Sequence, residues 1–317
     1  KTGSGKSVLA KMILIAYARY KEMGIFVLDP QGEFAISLRN RNEKIEDMSF
    51  ILNEKLLSKL GKRTIIYDLT TLKLDRWEIF GELLLEYQFF FDLGIKHPEY
   101  QETVADEVID FLRKDSSIKL ENLDRDAFIK TLDYIYKSIE KIYAGQSGID
   151  RVRKTIEETK KALNNNNPSS LLEKWEKVSQ FFKGDRKKTP RQIVWESLYP
   201  DERPIVIIDL SQKPDYVEQD VWDRKIKPLL IDRFLQELIH IAEDVYRKRE
   251  DEHKKGSLNT LVVIDEAHKL APREKQENER MERIKNRLID AVRTTRKYGL
   301  GWMFISQTLS SLDKEII

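Results

Sequence analysis

The chain has 317 residues, of which 35% are charged, with a net charge of +2 at pH 7, no cysteine and four histidines. The missing cysteines exclude a disulfide framework and a thiolate metal site, and the few scattered histidines disfavour a zinc site built from histidine. No apolar run approaches the roughly 20 residues of a membrane span. A chain without cysteine fits a reducing compartment, so we expect a cytoplasmic protein. The near-neutral charge leaves nucleic-acid binding open, because a local basic surface can exist within it.

The chain opens with the residues of a phosphate-binding loop. Residues 1–7 read Lys-Thr-Gly-Ser-Gly-Lys-Ser, which is the pattern Gly-x4-Gly-Lys-Ser/Thr without its first glycine. Backbone N–H groups of such a loop surround phosphate oxygens, Lys6 adds a cation, and Ser7 offers a hydroxyl to Mg²⁺. A dinucleotide fingerprint would need a glycine at Val8 and has no role for Lys6. The predicted nucleotide contacts are Thr2, Gly3, Ser4, Gly5, Lys6, Ser7 and Val8.

Apolar residues with helical spacing follow the loop, so the loop opens a helix whose N-terminus favours a bound anion. The chain begins inside this motif and stops just after a predicted strand. We therefore interpret it as a fragment cut at both ends, without the strand that normally leads into the loop.

Five short runs rich in β-branched residues predict buried strands. They are Ile25–Asp29, Thr64–Asp68, Ile205–Asp209, Leu261–Asp265 and Trp302–Ser306. Helical stretches separate them, which predicts an α/β fold with a mainly parallel sheet. Four of the runs end in aspartate, and ligands bind outside the carboxyl ends of such strands. We expect two or three of these aspartates only to cap the turn that follows.

Residues 29–32 read Asp-Pro-Gln-Gly, which is the composition of a type I turn, and Glu33 follows at once. From about Asp75 to Pro200 the strand signal disappears and apolar residues repeat with helical spacing. We therefore predict a helical insertion at 75–200 between two parts of one core, 1–74 and 201–317. The basic loop at 183–188 either contacts DNA phosphate or is a solvated surface loop, and the solvated loop is the favoured interpretation.

The second chemical motif is the apolar run 261–264 followed by Asp-Glu-Ala-His at 265–268. An apolar strand that leads into Asp-Glu, downstream of a phosphate-binding loop, is typical of a Walker B strand. Asp265 would then hold the Mg²⁺ shell, and Glu266 would polarise the attacking water as general base. His268 is interpreted as a structural residue.

A helix is predicted near Met281 to Val292, and two arginines, Arg293 and Arg296, stand at its end before Gly299. Cations at this place either interact with the helix dipole or reach a neighbouring subunit's γ-phosphate, and Arg296 is the favoured candidate for the second role. The last strand leads into Gln307, whose amide at a strand end is a candidate sensor of the γ-phosphate. Lys6, Glu266, Arg296, Arg293 and Gln307 are the predicted catalytic residues.

The order of these motifs resembles the HerA/FtsK group of hexameric DNA-pumping ATPases, and HerA most closely. The matching features are the phosphate-binding loop, Leu28-Asp29-Pro30-Gln31-Gly32-Glu33-Phe34, Ile264-Asp265-Glu266-Ala267-His268, Arg296-Lys297-Tyr298-Gly299 and Ile305-Ser306-Gln307. They cover about 1–74 and 205–317, whereas the middle is similar only in being a helical insertion. Arg293 is followed by two threonines where the family pattern has Glu-Gly before the second arginine.

The resemblance implies a RecA-like P-loop NTPase core that uses ATP and Mg²⁺, with Asp29 and Glu33 among the cofactor-binding residues. It also implies a homohexamer that moves duplex DNA, with a nuclease or an anti-phage effector as partner. Two other classes stay open. One is a P-loop motor that acts on protein, and the other is a superfamily-two helicase with its Asp-Glu-Ala-His motif, which would need a second RecA-like domain.

Overall fold

A computed structural model describes residues 5–35, 54–142, 146–254, 256–276 and 278–316. Five strands form one sheet in the order β2-β3-β1-β4-β5, and every neighbouring pair is parallel. The strands are β1 Gly24–Asp29, β2 Thr64–Tyr67, β3 Ile205–Asp209, β4 Thr260–Ile264 and β5 Leu300–Phe304. The predicted α/β fold with a parallel, RecA-like sheet is confirmed.

Helices occupy most of the remaining described chain. They are α1 Lys6–Ala18, α2 Glu54–Lys59, α3 Trp77–Glu86, α4 Phe89–Asp92, α5 Pro98–Lys114, α6 Arg125–Ile142, α7 Gln146–Asn164, α8 Ser170–Ser179, α9 Pro190–Leu198, α10 Gln219–Val221, α11 Lys227–Asp251, α12 Ala267–Leu270 and α13 Glu279–Thr294. A π-helical turn, Trp222–Ile226, joins α10 to α11, and a 3₁₀ turn, Thr295–Tyr298, follows α13. Among the described residues, no helix combines the length and apolarity needed to cross a membrane.

Contacts between residues divide the described chain into two units. The sheet unit contains the residues up to Leu72 and those from Lys188 onward, and the helical unit is Lys73–Lys187. The assignment of 1–74, 75–200 and 201–317 as domains stays a prediction.

The sheet unit is built on strands that are buried on both faces. Every residue of β1, β3 and β4 is buried, as expected for parallel strands covered by helices. Helix α1 packs Ala10, Leu14 and Ala18 into the same core as Ile25 and Val27. The first helix of the chain is thereby fixed against β1.

Two buried cations hold the turn between α1 and β1. The Nζ atom of Lys62 donates to the carbonyl oxygen of Tyr20 at 2.9 Å, of Lys21 at 3.1 Å and also of Met23. The guanidinium of Arg203 donates to the carbonyl oxygens of Leu198 at 3.1 Å and Glu22 at 2.6 Å. These bonds satisfy carbonyls of the turn that follows α1, and one carbonyl at the end of α9. Burial lowers the pKa of Lys62 to about 8.

The helical unit has a core of its own, made of aromatic rings. Trp175 is fully buried, and its ring lies 4.9 Å from the Phe80 ring, 5.6 Å from the Phe128 ring and 6.2 Å from the Phe89 ring, measured between centroids. Its indole N–H donates to the carbonyl oxygen of Leu123 at 3.3 Å. Rings of this size dominate the apolar area that a helical unit buries.

Candidate functional site

Three aspartates meet at the carboxyl edge of the sheet because of the strand register. Asp29 at the end of β1 pairs with Asp209 at the end of β3. Leu28 pairs with Ile264, so Asp265, the residue after β4, comes level with Asp29 on the other side. Asp29, Asp209 and Asp265 are all at most 3% exposed. The register therefore concentrates carboxyl groups at the edge where parallel sheets bind their ligands.

Asp29 organises the turn that follows β1. Its Oδ1 atom accepts the N–H of Gly32 at 2.8 Å, and its Oδ2 atom accepts the N–H groups of Phe34 at 3.0 Å and Ala35 at 2.9 Å. Three donors on one carboxylate fix the backbone on both sides of Glu33. The structure thus gives Asp29 the task of holding the turn that carries Glu33.

A second turn, after β3, supports the first. Ser211 donates to Oδ1 of Asp209 from its backbone N–H at 3.0 Å and from its hydroxyl at 2.6 Å. Gly32 has φ 79°, and a Cβ atom placed there would lie 2.5 Å from the Ser211 hydroxyl oxygen. Only glycine fits both the backbone angle and the close approach. Ser211 was not among the residues predicted from the sequence, although Asp-x-Ser is a recognisable turn signal.

The carboxyl cluster changes the acidity of its members. Burial raises the pKa of Asp29 to about 7, and the charges of Asp209 and Asp265 act in the same direction, against the N–H bonds from Ala35 and Phe34. Burial also raises the pKa of Asp265 to about 6, and Glu33 and Glu266 add to the rise. The charge of Lys6 opposes it. Burial first, and then the charges of neighbouring acids, therefore favour the protonated form of Asp29 and Asp265.

The start of α1 brings the first motif to this edge. Gly5 has φ 72°, a left-handed conformation that favours glycine, and it is the residue before the helix. Lys6, Ser7 and Val8 form the first turn and are half-buried. The charge of Lys6 lowers the pKa of Asp265, so the first motif of the chain lies close enough to act on that carboxyl group. Thr2, Gly3 and Ser4 lie outside the described residues.

The donor set at this edge suits magnesium. Carboxylate and hydroxyl oxygens are the ligands that Mg²⁺ prefers, and it keeps waters and substrate phosphate oxygens in its remaining positions. Asp265 and Ser7 could hold it in this way, and a divalent cation would offset the charge that raises the pKa of Asp265. In the described ranges there is no group of three or more histidine or acidic side chains arranged as a complete metal site.

Glu266 and Gln307 follow two neighbouring strands at the same edge. Glu266 is 9% exposed, and its N–H donates to Oδ1 of Asp265 at 2.9 Å. The N–H of Ala267 donates to the carbonyl oxygen of Ile305 at 2.9 Å, which ties the end of β4 to the end of β5. Gln307 stands two residues further on and is exposed. Glu266 and Gln307 therefore both lie at the carboxyl edge of the sheet.

Arg293 and Arg296 lie at the opposite edge of the sheet, where the amino ends of the strands lie. Both precede β5, so they stand at its amino end, and a strand of five residues spans roughly 16 Å. Arg293 pairs with Glu315 at 2.5 Å. Arg296 is exposed, and its side chain has no hydrogen bond or ion pair with any described residue. Neither arginine is placed to reach the carboxyl edge of its own sheet.

The sequence matches a family model described as "Helicase HerA, central domain" over residues 1–227. This chain belongs to the HerA helicase central-domain family. No curated protein gives a significant match. The matched residues of this HerA-type chain include the phosphate-binding loop, the Asp29 turn and β3, and they end before Asp265 and Glu266.

Membership identifies a core of the P-loop ATPase and translocase class. Such a core implies nucleotide binding and, as a rule, Mg²⁺. In this HerA-type chain, Lys6 from the matched part and Asp265 from beyond it meet at one edge. Asp265 and Glu266 lie outside the matched residues, and only the fold brings them to the same edge as Lys6.

Proposed function

We propose that this chain is the motor core of a homohexameric translocase that hydrolyses ATP and moves duplex DNA. The observation that carries the proposal is the meeting of Lys6 with Asp265 and Glu266 at the carboxyl edge. Lys6 and Asp265, which belong to two different motifs, are 259 residues apart in the sequence. Convergence of a phosphate-binding lysine and two acids is what phosphoryl transfer to water requires.

Each residue has a distinct task in this proposal. The N–H groups at the start of α1 and the cation of Lys6 bind the phosphates. Asp265 and Ser7 hold Mg²⁺, which when bound neutralises charge on the outer phosphates. Glu266 takes a proton from the attacking water as general base. Gln307, beside it at the edge, is proposed to orient the γ-phosphate.

An arginine from a neighbouring subunit completes the site in this proposal. An exposed cation at the far edge of the sheet cannot serve its own Lys6 site, yet it is free to face another subunit. Arg296 is the better candidate for this role, because the side chain of Arg293 already forms an ion pair with Glu315. A shared site of this kind requires an assembly, which is the support for the homohexamer.

The DNA substrate is proposed from the family and from the distribution of charge. The helical unit contains 20 Lys and Arg against 22 Asp and Glu residues. Such a balance disfavours a broad basic face and favours contacts confined to a central pore. A nuclease or an anti-phage effector as partner belongs to the same proposal.

The test is the ATPase rate of the full-length protein with and without duplex DNA, measured across a salt series. We expect stimulation by duplex of unrelated sequences, and the apparent affinity should fall with salt at a slope of about 0.9 per phosphate contact. Glu266→Gln is the control without turnover. A rate that ignores duplex at low salt would favour the motor that acts on protein. The superfamily-two reading has less support, because the described strands form one sheet.

A further inference from the structure

Glu266 has a backbone conformation that is unusual for its type. Its φ is 52° and ψ is 38°, the left-handed region that residues other than glycine rarely occupy. Such a conformation costs about 1–2 kcal/mol and persists only where the surroundings enforce it. Here the carboxyl group of Asp265 accepts the N–H of Glu266, and the carbonyl of Ile305 accepts the N–H of Ala267. These two hydrogen bonds hold the backbone of Glu266 in the left-handed conformation. That conformation sets the direction in which the Glu266 side chain leaves the turn.

One carboxylate oxygen of Glu266 lies near two side-chain nitrogen atoms but forms a hydrogen bond with neither. Oε2 is buried and accepts no hydrogen bond, while Nε2 of His268 and Nζ of Lys269 both lie 3.5 Å away. These distances count as ion-pair contacts, but they exceed the 2.7–3.2 Å of an N–H···O bond. A buried carboxylate oxygen without a donor is unfavourable by about 1–3 kcal/mol. A small rotation of either side chain would close the gap.

His268 is better placed than Lys269 to supply that donor. The Lys269 side chain is 59% exposed, so solvent screens it and its pairing contributes little. The His268 side chain is 22% exposed, and its Nδ1 atom is buried without a partner. In a neutral imidazole only one nitrogen carries the proton, and the nitrogen that faces a carboxylate is the favoured one. This selects the Nε2–H form, directed at Glu266.

We propose that His268 is a positioning residue, whose Nε2–H binds Oε2 of Glu266 and leaves the other carboxylate oxygen to the attacking water. The inference rests on the proposed hydrolysis for its consequence, but the contact itself does not depend on it. Orientation of a base matters greatly, because a displacement near 1 Å can reduce the rate roughly 100-fold. A histidine that only filled space would have no such effect.

The kinetic test uses two variants of His268 and one control in the full-length protein. His268→Phe keeps a ring but removes the donor, and we expect kcat for ATP to fall roughly 10- to 100-fold with KM within about twofold. His268→Gln keeps an N–H donor and should retain most of the rate. Lys269→Ala should be close to wild type. A wild-type kcat in His268→Phe, or an equal loss in His268→Gln, overturns the proposal.

A second measurement separates this inference from the proposed function. Long-range ¹H–¹⁵N spectra of the protein without nucleotide report which imidazole nitrogen carries the proton. We expect Nε2–H, and the His268 Nε2 resonance should move in Glu266→Ala while the other histidines keep theirs. The Nδ1–H form would overturn the positioning role even if ATP is hydrolysed. If no ATP is hydrolysed but these spectra agree, the contact stands and the proposed function fails.

Discussion

Asp209 lies directly opposite Asp29 in the register of β3 and β1, and its charge adds to the rise that burial causes in the pKa of the Asp29 carboxyl group. The relationship follows from two strands that end at the same level, each with an aspartate as its last residue. Carboxyl groups brought together in this way resist joint ionisation. A cation bound at the carboxyl edge would therefore reduce the repulsion between these carboxylates.

The first prediction concerns the pH dependence of stability. The pKa of Asp29 rises from 3.8 to about 7 on folding, so its stabilising contribution is complete below 3.8 and is lost as the pH rises through 7. Relative to Asp29→Asn, which does not titrate, the wild type should lose up to about 1.4 kcal/mol per pH unit between pH 4 and 7. Urea unfolding of both proteins across this range measures the difference. A gap that is constant with pH would contradict the raised pKa.

The second prediction separates the binding of nucleotide from its hydrolysis. Glu266→Gln should keep nucleotide affinity and abolish turnover, because it removes a base but no phosphate contact. Lys6→Ala should lose both, because it removes a cation from the phosphates. Fluorescent-nucleotide binding and phosphate release measure the two properties. Glu274→Gln makes the same chemical change at an exposed position and should behave as wild type. Wild-type turnover in Glu266→Gln would mean that the base is another residue.

The third prediction concerns the arginine that we propose to act between subunits. Arg296→Ala should reduce ATP hydrolysis by a factor of order 10³ or more, because a transferred γ-phosphoryl group needs that cation. A helix-dipole role alone would be worth only about 0.3–1 kcal/mol. Steady-state phosphate release distinguishes effects of such different size. Lys297→Ala, which removes the adjacent exposed cation, is the matched control.

Mixing of subunits shows whether Arg296 acts across a boundary. Arg296→Ala subunits keep Lys6, and Lys6→Ala subunits keep Arg296, so mixed rings contain junctions where both are intact. We expect each variant alone to be inactive and the mixture to regain hydrolysis. An inactive mixture in which mass spectrometry demonstrates mixed rings would place the arginine in its own subunit's site. Near-normal activity of Arg296→Ala alone would leave it only a helix-end role.

The fourth prediction concerns the close approach of two turns. Gly32→Ala should destabilise the protein by more than the roughly 1–2 kcal/mol of left-handed strain, because its Cβ would also strike Ser211. Gly61→Ala is the control, since Gly61 has φ 68° but its Cβ would lie 3.5 Å from a flexible lysine side chain. Thermal unfolding should rank Gly32→Ala below Gly61→Ala. Equal losses would show that Ser211 yields without cost.

The sequence by itself determined the strands and the motifs, because both are local. Runs such as Ile205–Asp209 are short, rich in β-branched residues and end in a polar residue, and the five predicted strands agree with the structure to within two residues. Helix α9 also has a local signal, a capping box of Thr189 and Gln192 across its start, but the sequence analysis did not predict this helix individually. The order of motifs was enough to predict the family that the match over 1–227 shows.

Only the tertiary structure decided how distant residues meet. Strand order and register, which bring Asp265 level with Asp29, depend on pairing between segments more than 200 residues apart. The same holds for Lys62, whose charge would place it on the surface but which is 5% exposed because carbonyls of another segment receive it. Local propensity contains no information about such partners, since packing and buried hydrogen bonds select them.

The two arginines show the same limit most clearly. Arg293 and Arg296 are both cations at one helix end, and the sequence favours Arg296 without showing what either side chain contacts. Folding brings Glu315 to the first and leaves the second exposed, and it places both at the opposite edge from Lys6. The sequence determined that two arginines stand at this helix end, and the packing of the chain decided which of their side chains forms an ion pair.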